Sequence, residues 1–341
     1  MRTLVLYILM LLMAAGTATA QEVVLNKQRH FKKTVPPGNY SGVTWLGGDR
    51  YAVVDDKSAT AGFHLMTIRL DTITGDITDV RADSFMTSGL PNRDEEGICY
   101  VPLTNTLFVS GESDGQIVEY SLDGQLTGRA LNIPEVFKKA YSNKSFEALT
   151  YNAKTQRFWT TTENSLAIDG DKPDTKKKIA NRLRLQSFGN DLQPREQYWY
   201  VTDSSAVKSK KGRSTLGVSG LAALDNGQVI VLEREVRRAP KKIGSFVHVK
   251  LFVVNPQLQQ PGDTLRKQLL TEFRTRINLK KRSFANYEGL CTGPRLADGR
   301  LVLLLVADSQ NQYKGYLKDW FKTIVISNIT SKPNDYATDP L

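Results

Sequence analysis

Three glutamates of this 341-residue chain recur in one local setting. Glu96 lies in "EEGICYVP", Glu147 in "FEALTYN" and Glu288 in "NYEGLCTGP". Each precedes a Gly or Ala and then an aliphatic residue. Two further stretches keep the small residue but place a serine before it, Ser41 in "NYSGVTW" and Ser219 in "GVSGLAA". Carboxylates that converge from copies of one motif repel one another and raise one another's pKa. A hard cation relieves that repulsion, and calcium takes roughly six to eight oxygen ligands in a flexible shell. The pattern therefore predicts a calcium site on Glu96, Glu147 and Glu288. A second role stays open to the same glutamates: capping the backbone of a neighbouring element, as buried acids commonly do. Serine in two of five copies points to a partly structural motif.

Positioning such a set requires a repeat. In each copy a short apolar stretch follows the motif, then a polar turn ("GGD", "LTN", "AKTQ", "DNG", "LADG"), then a second β-branched and aromatic stretch. Two extended runs around such a turn form a β-hairpin. After the second copy, "QIVEYSL" alternates as a strand does, Asp123-Gly124 is a turn pair, and "QLTGRALNI" supplies a fourth strand. The unit is a four-stranded antiparallel meander. Its small residue falls at Gly42, Gly97, Ala148, Gly220 and Gly289, so five units are expected, with six as the alternative. Inserts near Asp169 to Lys178 and Arg234 to Gly244 account for the two long intervals. The fifth unit lacks its last strand, and "EVVLNKQRHF" near the N-terminus can supply it. The predicted fold is an all-β propeller of five four-stranded blades, closed by the N-terminal strand.

This topology places the motif residues and the ends of the second strands on one face, with Asp55, Glu112, Glu163, Glu233 and Asp308 at those ends. Glu163, Glu233 and Asp308 are the candidate catalytic acids. The long loops of that face carry much of the basic excess: Lys172, Lys176, Lys177, Lys178, Lys210, Lys211, Arg237, Arg238, Lys241 and Lys242. Arg234, Arg237 and Lys241 are the candidate substrate-binding residues, suited to an anionic small molecule.

Composition bounds the rest. The chain carries 46 basic and 35 acidic residues, a formal charge of +11, which favours anionic partners. No nucleic-acid module or glycine-rich phosphate loop accompanies that charge. His30, His64 and His248 lack zinc-ligand spacing, and Ser219 lacks a full nucleophile-elbow pattern. Cys99 and Cys291 occupy equivalent places in two units and are expected to stay reduced. Residues 1–20 combine Arg2, an apolar run from Leu4 to Met13 and Ala18-Thr19-Ala20, the features of a secretory signal. That run is too short for a permanent membrane span. A single exported domain over 21–341, periplasmic or secreted and monomeric, is expected, with no transmembrane segment.

The stretches "SFEALTYN", "TTEN", "SGLAALDNGQVIVLERE" and "NYEGLCTGPRLADGRLVLLLVADSQ" resemble the exported bacterial phytase-like family, "esterase-like activity of phytase". The likeness runs from about Tyr40 to Ile329 and is most specific from Tyr287 to Asp308. It implies a β-propeller and hydrolysis of phosphate or carboxylic esters, with no catalytic set to carry over. The E-G pattern is also similar to that of calcium-dependent propeller lactonases and esterases. Two functions are therefore carried forward: a calcium-assisted esterase or phosphoesterase, and a non-catalytic exported propeller that binds a glycan, peptide or envelope partner.

Overall fold

The computed structural model describes residues 22–140, 145–171, 174–175, 177–207, 212–278 and 282–327. The signal-like segment at 1–20 and the loop lysines Lys172, Lys176, Lys210 and Lys211 lie outside the described residues.

Strand β1 (Val23–Leu25) opens the described chain. Blade 1 follows as β2 (Tyr40–Gly47), β3 (Arg50–Asp55), β4 (Thr60–Leu70) and β5 (Ile77–Pro91). Blade 2 is β6 (Glu95–Val101), β7 (Thr106–Gly111), β8 (Gln116–Ser121) and β9 (Leu126–Ala130). Blade 3 is β10 (Phe146–Asn152), β11 (Arg157–Thr162), β12 (Arg182–Phe188) and β13 (Pro194–Val201). Blade 4 is β14 (Arg213–Ala223), β15 (Val229–Arg238), β16 (Phe246–Val254) and β17 (Lys267–Arg276). Blade 5 holds β18 (Asn286–Arg295), β19 (Leu301–Asp308) and β20 (Phe321–Ile326), and β1 completes it. The expected closure is present, with Val23 opposite Ile326 and Leu25 opposite Ile324. Each first strand packs on the next blade's first strand, and β18 against β2 shuts the ring. No described helix is long and apolar enough to cross a membrane.

The motif has a geometric cause. In all five first strands the pairing register breaks across it: between Tyr40 and Gly42, Glu95 and Ile98, Phe146 and Ala148, Val218 and Gly220, and Tyr287 and Gly289. A bulge re-aims the residue it carries, and here it carries Ser41, Glu96, Glu147, Ser219 and Glu288. The following residue must be small because the blades touch there. A Cβ on Gly42 would meet the Glu96 carbonyl oxygen at 2.2 Å, and one on Gly97 the Leu149 nitrogen at 2.8 Å.

Blade 4 departs from the sequence reading. The segment from Arg234 was expected to begin a loop, yet β14 and β15 stay paired well past the bulge, from Gly217 opposite Arg234 to Arg213 opposite Arg238. The continuously buried run "VIVLEREV" continues the strand. The long interval is thus a longer hairpin, and the loop begins only after Arg238. Cys99 and Cys291 are buried, unpaired and on first strands, and burial pushes both thiols up.

Candidate active site at the channel mouth

The five bulges meet at a neck. Ser41, Glu96, Glu147, Ser219 and Glu288 line a space of about 10 Å³, which is room for one water-sized occupant. An organic substrate must therefore sit above the neck. The serines turn to the protein: Ser41 Oγ donates to the Glu95 carbonyl at 2.8 Å and Ser219 Oγ to the Tyr287 carbonyl at 3.2 Å. Those contacts staple one blade to the next.

The long β14–β15 hairpin sends Arg234 across the channel. Its guanidinium is buried and contacts Glu288 Oε1, Glu163 Oε1 at 3.1 Å, Glu147 Oε1 at 3.4 Å and Asn286 Oδ1 at 3.2 Å. Burial opposes a charge there, and Glu288, Glu163 and Glu147 outweigh it, so the arginine is held firmly protonated. Burial raises Glu288 to about 7, against the pull of Arg234 and with a further push from Asp308.

On the opposite side of the mouth no buried cation among the described residues pairs with the acids. Oxygens of Asp56, Asp94 and Glu96 all lie within 4.8 Å of one another. Glu96 is only 7% exposed, and no hydrogen-bond donor or cation among the described residues bonds to its carboxylate. Burial lifts its pKa well above the ordinary value, with Glu147, Glu288, Asp56 and Glu112 adding to the rise. Burial likewise raises Asp56 to about 7, with Glu288 adding and Lys57 opposing. Lys57 contacts Asp94 and approaches Asp56 at 3.2 Å, but its side chain is 58% exposed. Asp94 takes a left-handed backbone, φ 59°, which Asp tolerates better than most residues.

Asp308 stands beside both groups. Burial raises it to about 6, with a contribution from Asp56. Its carboxylate accepts from the Gln310 backbone and from Asn286 Nδ2 at 3.4 Å. Acids that titrate near neutrality can hold or take a proton in an ester reaction.

The remaining candidates separate. Glu233 points away from the mouth into a buried network, accepting from Tyr200 Oη, the Asp203 backbone and Lys267. Arg237 donates to the Gly244 carbonyl, and Lys241 is exposed on the following loop. Their neighbours Arg238 and Lys242 instead line a cavity of about 320 Å³ between blades 4 and 5, with Asp308 and Asn286 at its wall. The structure thus brings Arg234, Glu147, Glu163 and Glu288 together, sets Glu96 among Asp56 and Asp94, and leaves Glu233 and Lys241 apart. Asp56 and Asp94 carried one available signal, since each adjoins an acid of the motif face.

Fold and site define a five-bladed propeller with an acidic channel mouth. The chain belongs to the phytase-like family, described as esterase-like activity of phytase, whose profile matches residues 35–310. No curated protein matches the sequence. Solved structures similar over most of their length include streptogramin B lyase, 10% identical over 89% of this chain and 98% of that one, TM-score 0.37. An endo-arabinase from Bacteroides thetaiotaomicron is 12% identical over 88% and 96%, TM-score 0.43. A duf4221 family member from Bacteroides vulgatus is 11% identical over 90% and 99%, TM-score 0.43. At these scores none bears on the site.

Proposed function

We propose that the protein is a metal-assisted hydrolase of phosphate or carboxylic esters on an anionic small molecule. The observation that carries the reading is the Asp56–Asp94–Glu96 cluster, in which the buried Glu96 carboxylate has no hydrogen-bond or ion-pair partner among the described residues, beside Asp308, which burial raises to about 6. Three carboxylates suit a hard cation, and calcium is the proposed ion. Glu96 belongs to the ligand set expected from sequence. Arg234 already serves Glu147 and Glu288, so Asp56 and Asp94 replace them in the proposal. Bound there, calcium would supply Lewis-acid polarisation of an ester oxygen. Arg234 fixes the glutamates of the other side, the neck keeps the substrate above the motif, and Asp308 holds or takes a proton. The same proposal places the protein outside the cytoplasm as a monomer; the signal-like features of residues 1–20 support the export.

A second reading is a non-catalytic propeller that binds a glycan, peptide or envelope partner. The closed network around Arg234 favours it, because those glutamates are already satisfied. Metal analysis of the purified protein, with phosphoester and acyl-ester panels with and without chelator, separates the two. Hydrolysis lost to chelator and restored by calcium is the expected result. A metal-free protein inactive on both panels overturns the first reading.

A further inference from the structure

Arg238 and Lys242 are exposed, and neither forms an ion pair with a carboxylate among the described residues. Arg238 also faces Arg213 directly across the β14–β15 pair, a like-charge arrangement that costs stability unless something neutralises it. Lys242 is held in place without neutralisation. Its ammonium lies 3.9 Å from the ring centre of Tyr316 and 5.1 Å from that of Tyr313, contacts that orient a cation while leaving its charge available. Both tyrosines are large and exposed, at 47% and 42%. They stand on a turn whose residues Gln310, Asn311, Gln312 and Lys314 all take positive φ, a costly backbone for non-glycine residues.

These groups line the cavity of about 320 Å³ between blades 4 and 5, whose floor is apolar, with Phe284, Ile277 and Leu317. That volume lies at the lower end of small-molecule sites. An apolar floor accepts a ring or branched alkyl group, while two unneutralised cations on one wall call for one anionic group. The opposite wall carries Asp308, whose carboxylate is engaged by Gln310 and Asn286.

We propose that this cavity binds an amphipathic small anion, an aryl or branched-alkyl body bearing one phosphonate-, phosphate- or carboxylate-type group. Arg238 and Lys242 hold the anion, and Tyr316 with the apolar floor holds the body. The inference deepens the proposed function by naming the substrate class, and rests on that reading only in treating the bound molecule as a substrate.

Calorimetry with phenylphosphonate, in chelator, measures binding alone, because the probe's carbon–phosphorus bond is not an ester and no metal takes part. Phenylphosphonate should bind at least tenfold more tightly than methylphosphonate or benzyl alcohol, each of which lacks one half of the recognition. Arg238→Ala with Lys242→Ala should weaken it at least tenfold without lowering the melting temperature, since Arg238→Ala also relieves its repulsion with Arg213. Tyr316→Ala should weaken it and Tyr316→Phe should not, while Lys318→Ala, on the same loop but outside the cavity, should bind as the parent does. No binding of phenylphosphonate, or binding indifferent to the double substitution, overturns the proposal. Binding of phenylphosphonate by a protein that hydrolyses no ester leaves the pocket standing and removes the catalytic reading instead.

Discussion

The two sides of the channel mouth handle the same problem differently. On one, Glu147, Glu163 and Glu288 converge on a buried guanidinium delivered by the long hairpin of blade 4. On the other, Asp56, Asp94 and Glu96 converge, and among the described residues a mostly exposed lysine, Lys57, is the cation that pairs with two of them. The first arrangement is complete within the chain. The second leaves a buried carboxylate whose neighbours are other acids. The motif glutamates thus divide between a cluster gathered on an internal cation and a cluster of acids beside one another, and the difference is set by a single side chain, Arg234.

Removing that side chain is the largest perturbation. Arg234→Met should cost about 3–5 kcal/mol at neutral pH, as breaking a buried pair on one side does, because three buried carboxylates lose their cation. Chemical denaturation checks it, and the loss should shrink at acidic pH as the glutamates protonate. A cost below about 1 kcal/mol would mean the pairs contribute little, as exposed ones do, and the contrast between the two sides would fail.

Lys322 tests whether a buried charge that forms no ion pair among the described residues behaves in the same way. It is 7% exposed, bonds to the Asn26 carbonyl, and is pushed down from 10.5 to about 8 by burial. A depressed lysine value means the unfolded chain binds more protons between those two values. Stability from this group therefore rises as pH goes from about 8 to 10.5, and is lost as pH falls through 8. The full span is on the order of 3 kcal/mol. Lys322→Met should remove that rise and stabilise the protein at pH 7, as read by thermal unfolding across the window. A parallel pH profile in the variant would contradict the assignment.

On the open side, Glu96→Gln removes one charge from an acidic cluster while keeping its shape. Without metal it should be neutral or stabilising by about 1 kcal/mol, the scale of one relieved buried repulsion. A clear destabilisation would show that Glu96 serves as a backbone cap. The smallest expected effect concerns Cys99 and Cys291. Both lie buried on different blades, so mass spectrometry without reductant should find two thiols, and reductant should leave the melting temperature unchanged.

Much of the fold was legible because one hairpin design recurs and the fifth unit lacks a strand. The motif's meaning was also legible in part: glycine or alanine marks contact between blades, and glutamate faces the centre. Two features escaped. The partner of Glu147 and Glu288 was read as a substrate-binding residue, since sequence does not show that β14 and β15 stay paired past the bulge and carry Arg234 over the channel. Among the basic residues expected on this face, Arg238 and Lys242 line the cavity between blades 4 and 5, while their neighbours Arg237 and Lys241, chosen as substrate-binding candidates, do not. Strand alternation sends Arg237 and Arg238 to opposite faces, while Lys241 and Lys242 lie in the turn after β15, where no periodicity marks direction. Asp56 and Asp94 sit in turns, where no periodicity marks direction.

In the proposed function the cation site belongs to Asp56, Asp94 and Glu96, and not to the glutamates on Arg234. A calcium titration followed by thermal unfolding of the parent, Glu96→Gln and Glu288→Gln tests it most directly. At one hundred times the dissociation constant the parent should gain about 2.7 kcal/mol. Glu96→Gln should lose most of that gain, and Glu288→Gln should keep it. A flat titration of the parent, or a gain that disappears in Glu288→Gln but survives in Glu96→Gln, would contradict the account.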